Sequence, residues 1–191
     1  MKKIKISFII VLAVVGAFLI YNHFDNGNAN KKDTKRFYDE YTLVDKNNVF
    51  VYKHIDDIIR KIETGTGIVF FCFPESVFCQ DYAKYLNDIA IENDVKEIYY
   101  FNIKQERITN SSKYQKIVNL LDATLYRDDE GNKRIYVPYV VFVKSGNIVG
   151  YNNETSFITQ DITPLEYWTE ERINLFKNNI KTNIDLLKEE A

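Results

Sequence analysis

The spacing of apolar positions changes several times along the chain, and each change marks an element. Ile68-Val69-Phe70-Phe71 is an uninterrupted apolar run, the pattern of a central strand buried on both faces. It stops at Pro74, because proline has no N–H for a sheet ladder. After Cys79 the spacing turns helical, with Tyr82, Tyr85, Leu86, Ile89 and Ala90 on one face, and Ser76 is a good N-cap. A strand therefore runs through a tight turn into a helix, and Ser76 and Cys79 lie in the helix's first turn.

The same alternation recurs on both sides. Val49 to Tyr52 predicts a short first strand. Ile55, Ile58, Ile59 and Ile62 predict a helix from His54 to Glu63, ended by Thr64 to Gly67. Lys96 to Ile103 is a further apolar strand, followed by a polar connection through Asn110. Ser111 or Ser112 then caps a helix carrying Tyr114, Ile117, Val118, Leu120 and Leu121. Ile135 to Val143 predicts a strand with Pro138 inside it, a placement that a cis Val137–Pro138 bond explains. Ser145-Gly146-Asn147 is a hairpin turn, and Ile148 to Tyr151 returns as an edge strand. Thr163-Pro164-Leu165-Glu166 is a capping box. The final helix carries Ile173, Phe176, Ile180, Ile184 and Leu187, with a second cap near Trp168-Thr169. This order predicts an α/β fold with a central mixed sheet and two helices to a face.

The N-terminus reads differently. Lys2, Lys3 and Lys5 precede an apolar run from Ile6 to Tyr21. No small-x-small cleavage site follows Ile20, and no nearby cysteine offers a lipid attachment point. Residues 1–24 are therefore expected to be a basic cytoplasmic flank and a transmembrane signal anchor; cleavage between Asn22 and Asn30 is the alternative. Positive-inside orientation puts the globular part outside the cytoplasm, at the cell membrane. Residues 25–48 read as a polar tether and residues 49–191 as the folded domain.

Composition narrows the functional classes. The 191 residues suffice for one domain with appendages. After the three leading lysines, 22 Lys and Arg stand against 27 Asp and Glu, a net charge of about −5 that argues against nucleic-acid binding. His23 and His54 are isolated and make no metal site. Asp128 to Lys133 does not match a calcium-binding loop and reads as a solvated turn. With no nucleotide, metal or flavin motif, no cofactor is expected.

The strand running into Phe73-Pro74-Glu75 and then Cys79 and its helix, with Val137-Pro138 before a hairpin, resembles the thioredoxin fold. More narrowly, Gly65 to Phe71, Phe73-Pro74-Glu75 and Val149-Gly150-Tyr151 resemble bacterial thioredoxin-like proteins that include bacteriocin transport accessory proteins. The likeness spans about residues 49–190. Those proteins commonly read Phe-Pro-x-Cys-x-x-Cys-Gln here. The resemblance implies that Cys79 matches the resolving cysteine and Pro138 the cis-proline that borders a substrate groove. Ser76 stands where the attacking cysteine would be.

That departure decides the chemistry. A helix N-terminus lowers a thiol pKa from about 8.5 to roughly 3.5–7.5 and so activates it. A serine hydroxyl with no base beside it is not a nucleophile and forms no disulfide. Cys72 alternates onto the same strand face as Phe70, the face expected under the Cys79 helix. Cys79 is thus open to three readings: a small apolar core residue, one end of a structural disulfide to Cys72, or half of an exchangeable pair. Two functional classes follow. One is a binder of a protein or peptide, using a groove bounded by Ser76, Val77, Phe78, Val137 and Pro138, in an accessory role in secretion, bacteriocin export or immunity, or envelope protein maturation. The other is a thiol-disulfide oxidoreductase using Cys72 and Cys79, or a Cys-x-x-Cys enzyme in which Ser76 replaces the attacking cysteine.

Overall fold

The computed structural model describes residues 33–156, 158 and 161–189. The expected anchor and the start of the tether lie outside the described residues. Among these residues, no helix is long and apolar enough to cross a membrane.

In chain order the elements are α1 (33–40), β1 (Phe50–Tyr52), α2 (Ile55–Thr64), β2 (Gly67–Cys72) and α3 (Val77–Glu92). They continue with β3 (Ile98–Asn102), α4 (Lys104–Thr109), α5 (Ser112–Leu120), β4 (Tyr139–Lys144) and β5 (Asn147–Asn152). A short α6 (Pro164–Tyr167) and a long α7 (Glu170–Lys188) close the chain. The five strands form one mixed sheet in the order β1-β3-β2-β4-β5. β1 and β2 run parallel to β3, whereas β4 is antiparallel to β2 and β5 to β4. This arrangement is compatible with a thioredoxin-like fold.

β2 is central because every residue from Ile68 to Cys72 is buried. Its side chains alternate between two cores. Ile68, Phe70 and Cys72 join α1, α3 and α7 on one face, while Val69 and Phe71 join α2 and α5 on the other. Burying each such aromatic contributes about 1.5–3 kcal/mol. The expected pairing of two helices to a face holds for these four long helices, and α1 adds a further layer.

α1 corrects the predicted tether. Phe37 and Tyr41 are fully buried, and Phe37 stacks on Phe50 with ring centroids 3.9 Å apart. The stretch 33–48 therefore packs onto the sheet rather than linking to it. Only two or three large apolar residues carry the contact, too few to raise a helical period above the surrounding charges.

Three further differences have local causes. The strand expected from Ile135 begins at Tyr139, because Pro138 offers no ladder donor; the Val137–Pro138 bond is cis. The polar connection after β3 contains α4, which has no buried residue and hence no apolar stripe. The hairpin is a two-residue turn at Ser145-Gly146, both at positive φ, with Lys144 paired to Asn147. The caps follow the sequence: Ser111 accepts from the Tyr114 N–H, Thr163 and Glu166 form the capping box, and Thr169 caps α7.

Candidate functional site

The site grows from the end of β2. Cys72 is the strand's last residue, Pro74 and Glu75 make the turn, and Ser76 is the N-cap of α3. The turn is closed by backbone bonds from the Ser76 N–H to the Phe73 carbonyl (3.1 Å) and from the Cys79 N–H to the Ser76 carbonyl (3.0 Å). This brings the Cα atoms of Cys72 and Cys79 to 6.1 Å, and the two form a disulfide. Both cysteines are fully buried in the core beneath α3.

Ser76 is half-buried and makes no side-chain cap bond. Among the described residues, no side chain hydrogen-bonds its hydroxyl, so nothing acts on it as a base. His54 lies elsewhere, exposed at the N-cap of α2. Among the described residues, no group of three His, Cys, Asp or Glu is placed to hold a metal ion.

Val77 is 65% exposed, but Phe78 is only 9% exposed and sets its ring edge-on against Tyr167 at 5.8 Å. The expected exposed apolar pair is therefore Val77 alone. Each residue of a helix is rotated about 100° from the one before it, which sends Phe78 to the core and Val77 to solvent. The cis-proline loop lies at the same end of the sheet: Phe71 pairs with Tyr139, which sets Pro138 beside Cys72. Val137 is half-buried and Pro138 buried. So Cys72, Ser76, Cys79, Val137 and Pro138 meet at one sheet end, with Val77 as the exposed contact.

Supporting residues escaped the sequence reading. Ser156 Oγ donates to the carbonyls of Tyr136 (3.4 Å) and Pro138, holding the proline loop from the segment after β5. Tyr41 Oη donates to Tyr100 Oη (3.0 Å), which in turn donates to the Cys72 carbonyl (3.5 Å). Burial pushes both phenols well above the ordinary tyrosine range. Glu75 meets Lys104 at 2.8 Å, and that ammonium holds its carboxyl below the usual range. These partners lie far away in sequence, and no local motif announces them.

Comparison with protein-family models, with curated proteins and with solved structures finds no match.

Proposed function

We propose that this chain is a membrane-anchored, extracytoplasmic thioredoxin-like protein with a degenerate active-site motif. It binds a protein or peptide in an accessory role in secretion, bacteriocin export or immunity, or envelope protein maturation. The observation that carries this reading is the fate of the reactive positions. Ser76 takes the helix-start position where an attacking thiol would be activated, while both cysteines are buried and bonded to each other. A buried disulfide presents no thiolate to a substrate. The surface that remains is Val77 beside the Val137–Pro138 loop, suited to an extended segment. The basic flank and apolar run at residues 1–24 supply the anchor and the orientation.

A second reading is favoured by the disulfide itself: a thiol-disulfide oxidoreductase that cycles Cys72 and Cys79. The two are separated by the full-length protein, purified in non-ionic detergent without reductant. It is alkylated while denatured, with and without prior reduction, and weighed. The binding reading expects no alkyl groups until reduction, a potential well below about −300 mV, and no turnover of insulin disulfides. Turnover that disappears when either cysteine is changed, with a higher potential, would replace it with the oxidoreductase.

A further inference from the structure

A polar groove of about 600 Å³ lies next to this site, between α4–α5 and the turn at residues 127–134. Its carboxylates are already engaged. Asp122 meets Lys133 at 2.6 Å. Asp128 accepts from the backbone N–H groups of Glu130 and Asn132, and Glu130 accepts from Asn132. Of its four cations, Lys133 is the one paired with Asp122, and Arg127 donates to the Gly131 carbonyl, which leaves Arg107 and Arg134. Among the described residues, no carboxylate lies within ion-pair distance of Arg107 or Arg134, and Arg134 is the guanidinium that acts on Arg107, opposed more weakly by the Tyr114 and Tyr136 phenols. Arg107 is half-buried, and its guanidinium donates to the Ile135 carbonyl (3.5 Å) and lies over the Phe73 ring (5.2 Å). Burial and the second guanidinium together lower its pKa, the opposite of what a paired arginine shows.

A half-buried cation beside a like charge, facing an open groove, is a site waiting for an anion. Planar guanidinium forks match carboxylate geometry. The position selects the kind of carboxylate. Arg107 stands between Phe73, which opens the disulfide loop, and Ile135, on the run leading into the cis-proline loop. Arg134 precedes Val137 by three residues, at most roughly 10 Å along the chain.

We propose that Arg107 and Arg134 form an oxyanion site for an acidic side chain of the bound segment, about three residues along from the part that lies at Val77 and Val137–Pro138. The inference rests on the peptide-binding reading and names its partner's chemistry: an extended peptide with glutamate or aspartate.

The probe is a fluorescein-labelled peptide, acetyl-Val-Ala-Glu-Glu-Ala-Val-amide, titrated against the full-length protein in non-ionic detergent and followed by anisotropy. Its glutamine counterpart is the control. The expected result is at least about tenfold tighter binding of the glutamate peptide, a preference that Arg134→Gln removes and that shrinks as salt rises. Arg134 is exposed, so this substitution leaves the fold intact, whereas Arg107→Gln also strips the Phe73 ring. Equal binding of the two peptides, weakened alike by Val77→Asp, overturns the arginine site and leaves the peptide groove standing. Failure of both peptides to bind overturns the groove reading and the acidic segment with it. Saturable binding of inorganic phosphate at the arginine side chains, read by NMR in that case, would assign the pair to a different anion.

Discussion

Gln80 donates from Nε2 to the Pro74 carbonyl at 3.0 Å, closing the disulfide turn from the helix side. The same amide donates to the Glu40 carbonyl (3.2 Å), and its Oε1 accepts from the Thr42 N–H (3.0 Å). One side chain thus joins the turn before Ser76 to the end of α1.

Gln80→Ala removes all three bonds and leaves their backbone partners without it. The expected loss is about 1–3 kcal/mol, seen as a lower midpoint in thermal unfolding. Gln80→Glu keeps an acceptor for Thr42 but sets a negative charge against two carbonyls, so it should lose at least as much. An unchanged midpoint in both would show that the other contacts of α1, with Phe37 and Tyr41 foremost, hold it without Gln80.

Reduction should destabilise without unfolding the protein. A bridge between residues seven apart constrains only a short loop of the unfolded chain, worth about 2–3 kcal/mol on the chain-entropy account. A Cys72→Ala, Cys79→Ala double variant should show a similar or slightly larger drop in urea midpoint, since two buried side chains also lose contacts. Because both sulfurs are buried, reduction of the folded protein should be slow until urea opens it.

The buried tyrosines predict alkaline sensitivity. Burial raises the folded-state pKa of Tyr41, Tyr100 and Tyr139 above the unfolded value of about 10. Their contribution is fully present below about pH 10, where both states are protonated. It falls as pH rises further, because the unfolded chain then releases protons that the folded one keeps. Each tyrosine should cost about 1.4 kcal/mol per pH unit above that point. Urea midpoints should be flat from about pH 7 to 9 and fall by pH 11, and Tyr41→Phe should reduce the fall while lowering the plateau by about 1 kcal/mol for its lost bond to Tyr100.

Gly146 and Gly131 both sit at positive φ, at +77° and +84°, but in different surroundings. A Cβ on Gly146 would meet the Glu63 carbonyl oxygen 2.3 Å away, whereas one on Gly131 would meet nothing within 4 Å. Gly131→Ala should cost about 1 kcal/mol, the backbone strain alone. Gly146→Ala should cost clearly more, because the hairpin must move off the end of α2. The difference in unfolding free energy between the two variants measures that contact.

Much of the architecture was legible in local signals. The apolar run at Ile68 to Phe71 and the caps at Ser111, Thr163 and Thr169 each act within a few residues and form where expected, and the hairpin turn is one residue shorter than expected. The alternation of Phe70 and Cys72 put the two cysteines on one face, and the compartment implied by the first residues made their pairing chemically reasonable.

What the sequence by itself determined is therefore the order of the five strands and of helices α2, α3, α5, α6 and α7, and which residues sit at the end of β2, since these follow from period, capping and backbone freedom. Only the tertiary structure decided that residues 33–48 belong to the core, that Phe78 turns inward while Val77 stays exposed, and that Ser156 and Gln80 hold the loops around the disulfide. It also decided that Arg107 and Arg134 line one groove and that, among the described residues, no carboxylate forms an ion pair with either. The physical reason is range: a cap or a strand period is written in adjacent residues, whereas burial and charge pairing depend on which distant segments the sheet brings together.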